Sequence, residues 1–184
     1  MPTKLLTSFE ILCSPIAPGV PDVPYVQQGF FLQVTNLGAQ TAFLSIEYVA
    51  TPEFIESQGG IKLFTNIIDD AGRPQQYPAG AFLSAPVGYE ALNIPAGSTW
   101  LAGVQYLLLT PPPFQTSPVT GATPQDAFRT RGMVRATAAA GTSWLVLASI
   151  RQVFSTFNAS GGLVETDSAA YSVPIVGGPE LVFL

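Results

Sequence analysis

The chain has 184 residues, of which 47% are hydrophobic and 10% are charged, and its formal net charge is −5. This length is typical of one domain over residues 1–184, large enough to be stable without a disulfide or a structural metal. With seven basic residues and no histidine, the chain lacks the broad basic surface of nucleic-acid-binding proteins. It also lacks the side chain that Ser-His-acid catalysis and most zinc sites require.

Short apolar segments separated by Gly and Pro run through the whole chain and predict an all-β fold. Helical periodicity is almost absent, except at 123–129, where Thr123 and Pro124 match the cap and first position of a helical turn. We expect a single antiparallel β-sandwich, immunoglobulin-like or jelly-roll. Its predicted strands are 4–13, 28–36, 41–50, 60–68, 81–84, 88–94, 99–109, 131–139, 143–154, 162–166, 169–175 and 180–184.

The first predicted strand, "KLLTSFEILC" at 4–13, is a poor signal peptide because Thr, Ser and Glu interrupt its apolar run. It ends at Cys13, the only cysteine, which we interpret as a buried strand thiol. The densest apolar stretch, "WLAGVQYLLL", is too short to span a bilayer. We therefore expect a soluble protein without a membrane span.

The segment 29–51 predicts a β-hairpin that is apolar on both faces, since Phe30 and Phe31 point to opposite sides. Leu107 and Leu145 place apolar side chains on the second faces of two later strands. In a sandwich, one face of each sheet is buried and the other is exposed to solvent. We therefore expect another surface to bury these second apolar faces. The simplest cover is another copy of the same chain.

Two pieces, "VTNLGAQTAFLSIEY" and "LNIPAGSTWLAGVQY", lie within about 30–50 and 92–106. They resemble the strand–turn–strand pieces of bacterial immunoglobulin-like modules. The resemblance implies a β-sandwich and no particular activity, because that architecture hosts many functions. A jelly roll would have a similar sequence pattern.

A proline-rich connection occupies 110–128 and includes "TPPPFQTSPVTGATPQ". Its prolines favour extended polyproline II, so it is either a ligand for a proline-recognising domain or a crossover between the two sheets. Long connections of this kind are often functional or docked on a partner. If the chain is a binding module, we expect loops 51–60 and 110–128 to hold the ligand.

The acidic segment "IIDDAGRP" predicts a turn in which Asp accepts backbone N–H bonds and Gly72 supplies a positive φ. Asp69 and Asp70 could instead hold Ca²⁺ with loop carbonyl oxygens. A carboxylate pair is the one remaining catalytic option, as in glycosidases. We expect no enzyme, no cofactor and no metal site. The acids considered for such a pair are Asp69, Asp70, Glu53, Glu56, Glu165 and Asp167.

Four of the five arginines lie between residues 129 and 151. Arg131 and Arg135 share one strand face, and "AAAGTS" predicts a hairpin turn near Gly141, which would bring Arg131 close to Arg151. Like charges side by side need anions. These would be acids of this chain, forming an internal ion-pair ladder, acids of a neighbouring subunit, or a phosphate, sulfate or acidic polymer.

The C-terminal segment "ELVFL" follows "VGGP", a hinge that would let it leave its own domain. We expect residues 180–184 to contact a neighbouring subunit as an added strand or plug, through Leu181 and Phe183. The alternative is that the tail pairs within its own sheet.

The sequence contains no motif that identifies a biochemical activity. We expect a non-enzymatic structural subunit that assembles with copies of itself or with other structural proteins. The object would be a virion shell or decoration, or a filament outside the cell. The alternative is a monomeric binding module for carbohydrate or protein, and a carboxylate-dependent glycosidase comes third. The candidate intersubunit or anion contacts are Arg131, Arg135, Arg151, Leu107, Leu145, Leu181 and Phe183.

Overall fold

A computed structural model describes residues 1–17, 23–51, 57–58, 61–74, 87–108, 128–158 and 162–184. Within these ranges the regular structure is entirely β-strand, which confirms the all-β prediction. Phe128 and Arg129, expected in a helical turn, begin a strand instead, while 81–84 and 109–127 lie outside the described residues. The strands are β1 (Thr3–Pro15), β2 (Tyr25–Asn36), β3 (Ala42–Thr51), β4 (Ser57–Gln58), β5 (Ile61–Ile68), β6 (Val87–Ile94), β7 (Thr99–Leu108), β8 (Phe128–Ala138), β9 (Thr142–Phe157), β10 (Leu163–Val173) and β11 (Glu180–Phe183).

All of these strands belong to one antiparallel sheet that consists of two arms. The first arm has the order β4-β5-β7-β2-β9, with β10 and β11 both paired to the far edge of β9. The second arm has the order β1-β8-β3-β6. Hydrogen bonding continues from one arm to the other where Cys13–Pro15 of β1 pairs with Tyr25–Gln27 of β2. The antiparallel prediction is confirmed, and the closed two-sheet sandwich stays a prediction.

The two arms enclose a single core of buried side chains. Phe9 of β1 lies 5.5 Å from Phe30 of β2 and 6.0 Å from Tyr48 of β3, measured between ring centroids. Phe30 and Tyr48, on different arms, are 6.2 Å apart in an edge-to-face arrangement. These residues belong to the period-two apolar sets of their strands, so alternation in the sequence selects the inward face.

The predicted hairpins β2–β3 and β8–β9 are wrong, since the two strands of each pair lie on different arms. β3 pairs with β6 and β8, while β9 pairs with β2, β10 and β11. β6 and β7 are likewise split between the arms. The turns themselves exist, and Gly141 has the positive φ of 81° that its turn requires. A tight turn reverses the chain equally well toward a neighbouring strand and toward the opposite arm.

Three of the connections between the arms, those from β2 to β3, from β6 to β7 and from β8 to β9, meet at one end of the molecule. The N–H of Asn36 donates to the carbonyl of Ser98 over 3.1 Å, and the N–H of Leu37 donates to that of Ser143 over 3.0 Å. The buried Asn36 side chain donates to the carbonyl oxygens of Gln40 over 2.8 Å and of Ile94 over 2.9 Å. Asn36 therefore ties the end of β2 to the end of β6 on the other arm.

The C-terminal region fills one edge of the first arm. The predicted strands 162–166 and 169–175 form the single strand β10, whose register shifts between Glu165 and Asp167. β11 then pairs with the start of β9. The tail is therefore a strand of its own sheet, which is the alternative stated in the sequence analysis. Contact of this tail with a neighbouring chain stays a prediction.

Candidate functional site

The outer face of the first arm combines apolar and polar side chains. Gln33 on β2 lies directly between Leu101 on β7 and Leu147 on β9. Leu147 is 49% exposed. The predicted contact residues Leu107 and Leu145 alternate with core residues, share this outer face and are partly buried. Their role in contacts between subunits stays a prediction.

Phe31 covers part of this outer face from within the chain and is only 4% exposed. A Cβ added at Gly29 would lie 2.6 Å from its ring, and one added at Gly103 would lie 2.7 Å from it. The ring therefore lies flat over two glycines, where any side chain would displace it. The Arg151 guanidinium is 5.8 Å from the ring centroid, a cation–π contact. In the sequence, this packing is indicated only by a glycine inside each of two strands, Gly29 in β2 and Gly103 in β7.

The predicted proximity of Arg131 and Arg151 is wrong, because β8 and β9 lie on different arms. Arg131 lies opposite Glu10 on β1, and Arg151 lies opposite Gly29 and Ala170.

Two of the three arginines of β8 form ion pairs within the second arm. Arg135 lies 3.5 Å from a carboxylate oxygen of Glu47, and Arg129 lies 3.4 Å from one of Glu10. All four side chains are partly exposed, so each pair contributes little to stability. These two pairs match the internal-ladder alternative for Arg129 and Arg135, and contact of Arg131, Arg135 and Arg151 with a neighbouring subunit stays a prediction.

β10 is an edge strand of 11 residues that is exposed on both faces. Among the described residues it pairs only with β9. Its exposed apolar side chains include Tyr171 at 49% and Val164 at 42%. Native proteins usually protect such an edge with charges, prolines or bulges. Here Glu165, Asp167 and the register shift between them protect the first half, while 168–173 carries no charge.

An open cleft of 610 Å³ lies where β2, β5 and β7 meet the turns 69–73 and 95–98. Gln33, Asp70 and Ser98 supply its polar groups, and Leu101 supplies apolar surface, while the side chain of Trp100 packs against the core. Sequence reasoning missed this site. The quoted segments "IIDDAGRP" and "IPAGSTW" contain most of its residues, and only the fold brings them together.

The first wall of the cleft is the predicted turn after β5, which is confirmed. Asp69 accepts hydrogen bonds from the N–H of Ala71 at 3.0 Å and of Arg73 at 2.8 Å, and Gly72 has a φ of 76°. The hydrogen bond from the backbone of Arg73 is the main cause that lowers the pKa of Asp69, against the opposing effect of burial. A salt bridge of 2.9 Å to the Arg73 guanidinium adds to this. Asp69 is therefore a structural turn residue.

The second wall is the turn 95–98, and one hydrogen bond joins it to the first. The Ser98 hydroxyl donates to Oδ2 of Asp70 over 2.6 Å. Among the described residues, no group of three acids, cysteines or histidines could hold a metal ion. Asp69 forms a salt bridge with Arg73, and Asp70 accepts a hydrogen bond from Ser98. The described part of the chain places no further acidic ligand for Ca²⁺ next to these two carboxylates.

Glu90 and Cys13 are buried ionisable groups that lie away from the cleft, in the core. Burial raises the pKa of Glu90 to about 8, and it raises the pKa of the Cys13 thiol to about 12. Cys13 is 0% exposed in β1, which confirms its interpretation as a strand thiol. A protonated, inaccessible thiol is not a nucleophile.

No protein-family model matches the chain, and no curated protein matches it. Among solved structures, the chain is similar to a Bacillus licheniformis lipase in its propeptide form, with a TM-score of 0.30 and 10% identity. That match covers 91% of this chain and 41% of the lipase, so the chain spans less than half of that protein.

The chain is also similar to a pore-forming protein, with a TM-score of 0.25, 10% identity and 92% and 78% coverage of the two chains. For Clostridium perfringens delta-toxin the TM-score is 0.22, the identity 11% and the coverage 91% and 77%. Likenesses at these TM-scores carry no argument about function. Within the described part of the chain, no helix has the length and apolar character needed to cross a bilayer.

Proposed function

We propose that this chain is a non-enzymatic structural subunit that assembles with copies of itself into a virion shell, a virion decoration or an extracellular filament. In this proposal its two arms act as the sheets of an immunoglobulin-like or jelly-roll sandwich. The observation that carries the proposal is β10, an edge strand exposed on both faces with an uncharged second half. Such an edge presents unpaired N–H and C=O groups to another strand.

The sequence of β10 suits antiparallel pairing with its own copy. If a two-fold axis passes through Ala170, then Ser168 faces Ser172 and Ala169 faces Tyr171 of the other copy. Small polar and apolar residues thus lie opposite one another, and two tyrosines extend the pair on one face. A two-fold contact of this kind is self-complementary by symmetry.

The acidic residues of β10 disfavour registers that pair its first half and are compatible with a register centred on Ala170. About Ala170, Glu165 would face Ile175 and Asp167 would face Val173, so no like charges meet. Pairing centred on Thr166 would instead place Glu165 directly against Asp167, which is unfavourable. The acids therefore work against pairing of the first half and leave the second half available.

A two-fold contact joins two copies, and a larger object needs a second contact. The exposed side chain of Leu147, on the outer face next to the same edge, is the candidate for it. Loops 51–60 and 110–128, the sites of the alternative binding module, lie mostly outside the described residues.

Light scattering of the purified full chain tests the proposal. We expect an associated species at micromolar concentration, and we expect Tyr171→Lys to shift it toward monomer, because an edge lysine blocks strand addition. Leu37→Lys is the matched control, since Leu37 is 48% exposed against 49% for Tyr171 and lies in a turn. A monomeric parent chain would contradict self-assembly. A Tyr171→Lys variant that associates like the parent would contradict the β10 contact alone.

Disulfide trapping tests the register. Residues opposite each other in antiparallel strands have Cα atoms about 4.5–5.5 Å apart, within the range that a disulfide bridges. We expect Ala170→Cys to form a covalent dimer under mild oxidation and Leu37→Cys to form none. The single native thiol, Cys13, is buried and does not interfere. Equal cross-linking of both variants would contradict pairing about Ala170.

A further inference from the structure

We propose that the outer face of β8 in one copy of the chain binds the first half of β10, residues 163–167, in another copy. The β8 face lies on the second arm, whereas β10 and Leu147 belong to the first. The contact rests on the proposed self-assembly and deepens it, because it joins copies head to tail and gives the first half of β10 a partner. The β8 face consists of the alternating side chains Arg129, Arg131, Met133 and Arg135.

Arg131 is an exposed cation in the β8 face without an acidic partner. It lies opposite Glu10 on β1 and forms no salt bridge within the described part of the chain. The carboxylate of Glu10 pairs with Arg129 instead. Together with Glu47, the face holds three arginines against two glutamates. It therefore attracts a carboxylate, while its charge is too small to bind a polyanion.

Exposed acids without a cationic partner lie on the edge strands of the other arm. Glu165 and Asp167 on β10 and Glu180 on β11 form no salt bridge among the described residues. The N–H of Ser168 donates to Oδ1 of Asp167 over 2.8 Å, which holds this carboxylate in place and leaves Oδ2 for a second donor. Opposite charges on two different surfaces of the same chain favour a head-to-tail contact.

The apolar side chains next to these charges match as well. Val164 and Asp167 share one face of β10, because the β9 residues opposite them are two positions apart, or about 7 Å. Arg131 and Met133 are also two positions apart, on β8. A salt bridge between Asp167 and Arg131 would thus place Val164 on Met133. These two apolar side chains are 42% and 40% exposed within a single copy, so the contact would bury both.

The head-to-tail contact and the pairing about Ala170 use different groups of β10. Edge pairing uses the backbone N–H and C=O groups of the second half of the strand, whereas Val164 and Asp167 project from the face of the sheet. A two-fold contact stops at two copies, while a head-to-tail contact continues into a ring or a filament. The two contacts together would build an extended object.

Cross-linking between two cysteine variants tests the contact. Full-length Met133→Cys and Val164→Cys chains are mixed and treated with a bismaleimide whose spacer is about 8 Å, because sheets that pack face to face lie about 10 Å apart. We expect a link between positions 133 and 164 of different chains. The native Cys13 is buried and does not react. Leu37→Cys, at a position that is 48% exposed, replaces Met133→Cys as the control. An equally abundant link between positions 37 and 164 would overturn the proposal.

Charge reversal tests the ion pair in the same assay. Arg131→Glu in the Met133→Cys chain should slow cross-linking about tenfold, because like charges then meet at the contact. Asp167→Arg in the Val164→Cys chain should restore the rate. Glu165→Arg is the matched control, since it makes the same charge change on the opposite face of β10. An unchanged rate with Arg131→Glu would overturn the proposal, as would restoration by both β10 variants or by neither.

The Ala170→Cys dimer separates this contact from the pairing of β10. A link between positions 133 and 164 without that dimer would support the head-to-tail contact and contradict the two-fold pairing. The dimer without this link would overturn the head-to-tail contact and leave self-assembly through β10 intact. Formation of neither product would contradict both contacts.

Discussion

The hydroxyl of Tyr48 donates a hydrogen bond of 2.7 Å to Oε2 of Glu90, and both side chains are 0% exposed. Burial raises the pKa of Glu90 from 4.5 to about 8, and hydrogen bonds from Tyr48 and from the backbone of Gly103 offset only part of this rise. Glu90 therefore keeps its proton in the folded chain at neutral pH. The same carboxyl in the unfolded chain is ionised.

The first prediction is that stability falls with rising pH because of Glu90. The stabilisation is complete below about pH 4.5 and is lost progressively up to about pH 8. One pKa unit corresponds to about 1.4 kcal/mol, so the whole loss is on the order of 5 kcal/mol. The pKa of Asp69 is lowered and that of Cys13 is raised to about 12, so both groups titrate outside this window. Urea unfolding across this pH range measures the effect.

Glu90→Gln should remove most of this pH dependence, because the amide has no proton to lose. The control Glu47→Gln changes a partly exposed acid on the outer face of the same arm and should retain the parent's dependence. An identical pH profile for Glu90→Gln and the parent would show that Glu90 is not the cause.

The second prediction concerns Asn36, whose side chain donates to two backbone carbonyls at the meeting point of the arms. Asn36→Asp should destabilise the chain by about 3 kcal/mol or more, because the carboxylate cannot donate and becomes a buried charge. Asn93→Asp, at an exposed position of β6, is the control and should change little. Thermal melts of the two variants provide the measurement. Equal melting temperatures would contradict the role of Asn36.

Alternation in the sequence was enough to locate most strands, because the period of two is a local property of each segment. The partners of each strand were harder to predict, because pairing depends on contacts far apart in the chain. "VTNLGAQTAF" contains the same turn chemistry whether β3 returns beside β2 or crosses to the other arm. The expected proximity of Arg131 and Arg151 failed for this reason.

The cleft was missed on the same physical grounds. Gln33, Asp70 and Trp100 come from three segments that the sequence keeps well apart, and each segment alone predicts only a strand or a turn. By contrast, the turn at Asp69 and Gly72 depends on neighbouring residues alone, so it was predicted correctly.

The third prediction tests whether Arg131 and Arg151 stabilise the chain itself or act in contacts between subunits. Arg151→Gln should lower stability by about 0.5–1 kcal/mol through loss of the cation–π contact with Phe31. Arg131→Gln should change stability by less than about 0.5 kcal/mol, since it is an exposed surface substitution. Urea unfolding gives both values. If neither variant loses stability but both lose salt-dependent association, the arginines act between subunits instead.

The fourth prediction concerns the outer face of the first arm. Leu147→Asp should leave the melting temperature near that of the parent, because Leu147 is 49% exposed, yet it should weaken assembly. Leu145→Asp should lower the melting temperature, since that side chain is partly buried. Leu37→Asp is the exposure-matched control, and light scattering with thermal melts checks all three. If Leu147→Asp assembles like the parent, this face is exposed to solvent in the assembled protein and is not a contact between subunits.

The last prediction concerns the C-terminal tail. Leu181 is 3% exposed and Phe183 is 0% exposed within the chain's own core, and the carbonyl of Phe183 accepts a hydrogen bond from Gly141. Phe183→Ala should therefore cost about 3–5 kcal/mol. Leu184→Ala changes a side chain that is 95% exposed and should cost less than about 0.5 kcal/mol.

Deletion of 179–184 should destabilise the isolated chain even more than Phe183→Ala, because the pairing of β11 with β9 is lost together with two core side chains. Thermal melts and light scattering of the truncated chain distinguish this structural role from that of a clasp between subunits. A truncated chain that melts like the parent and fails to assemble would show that the tail acts on a neighbour, against its position here as the last strand of its own sheet.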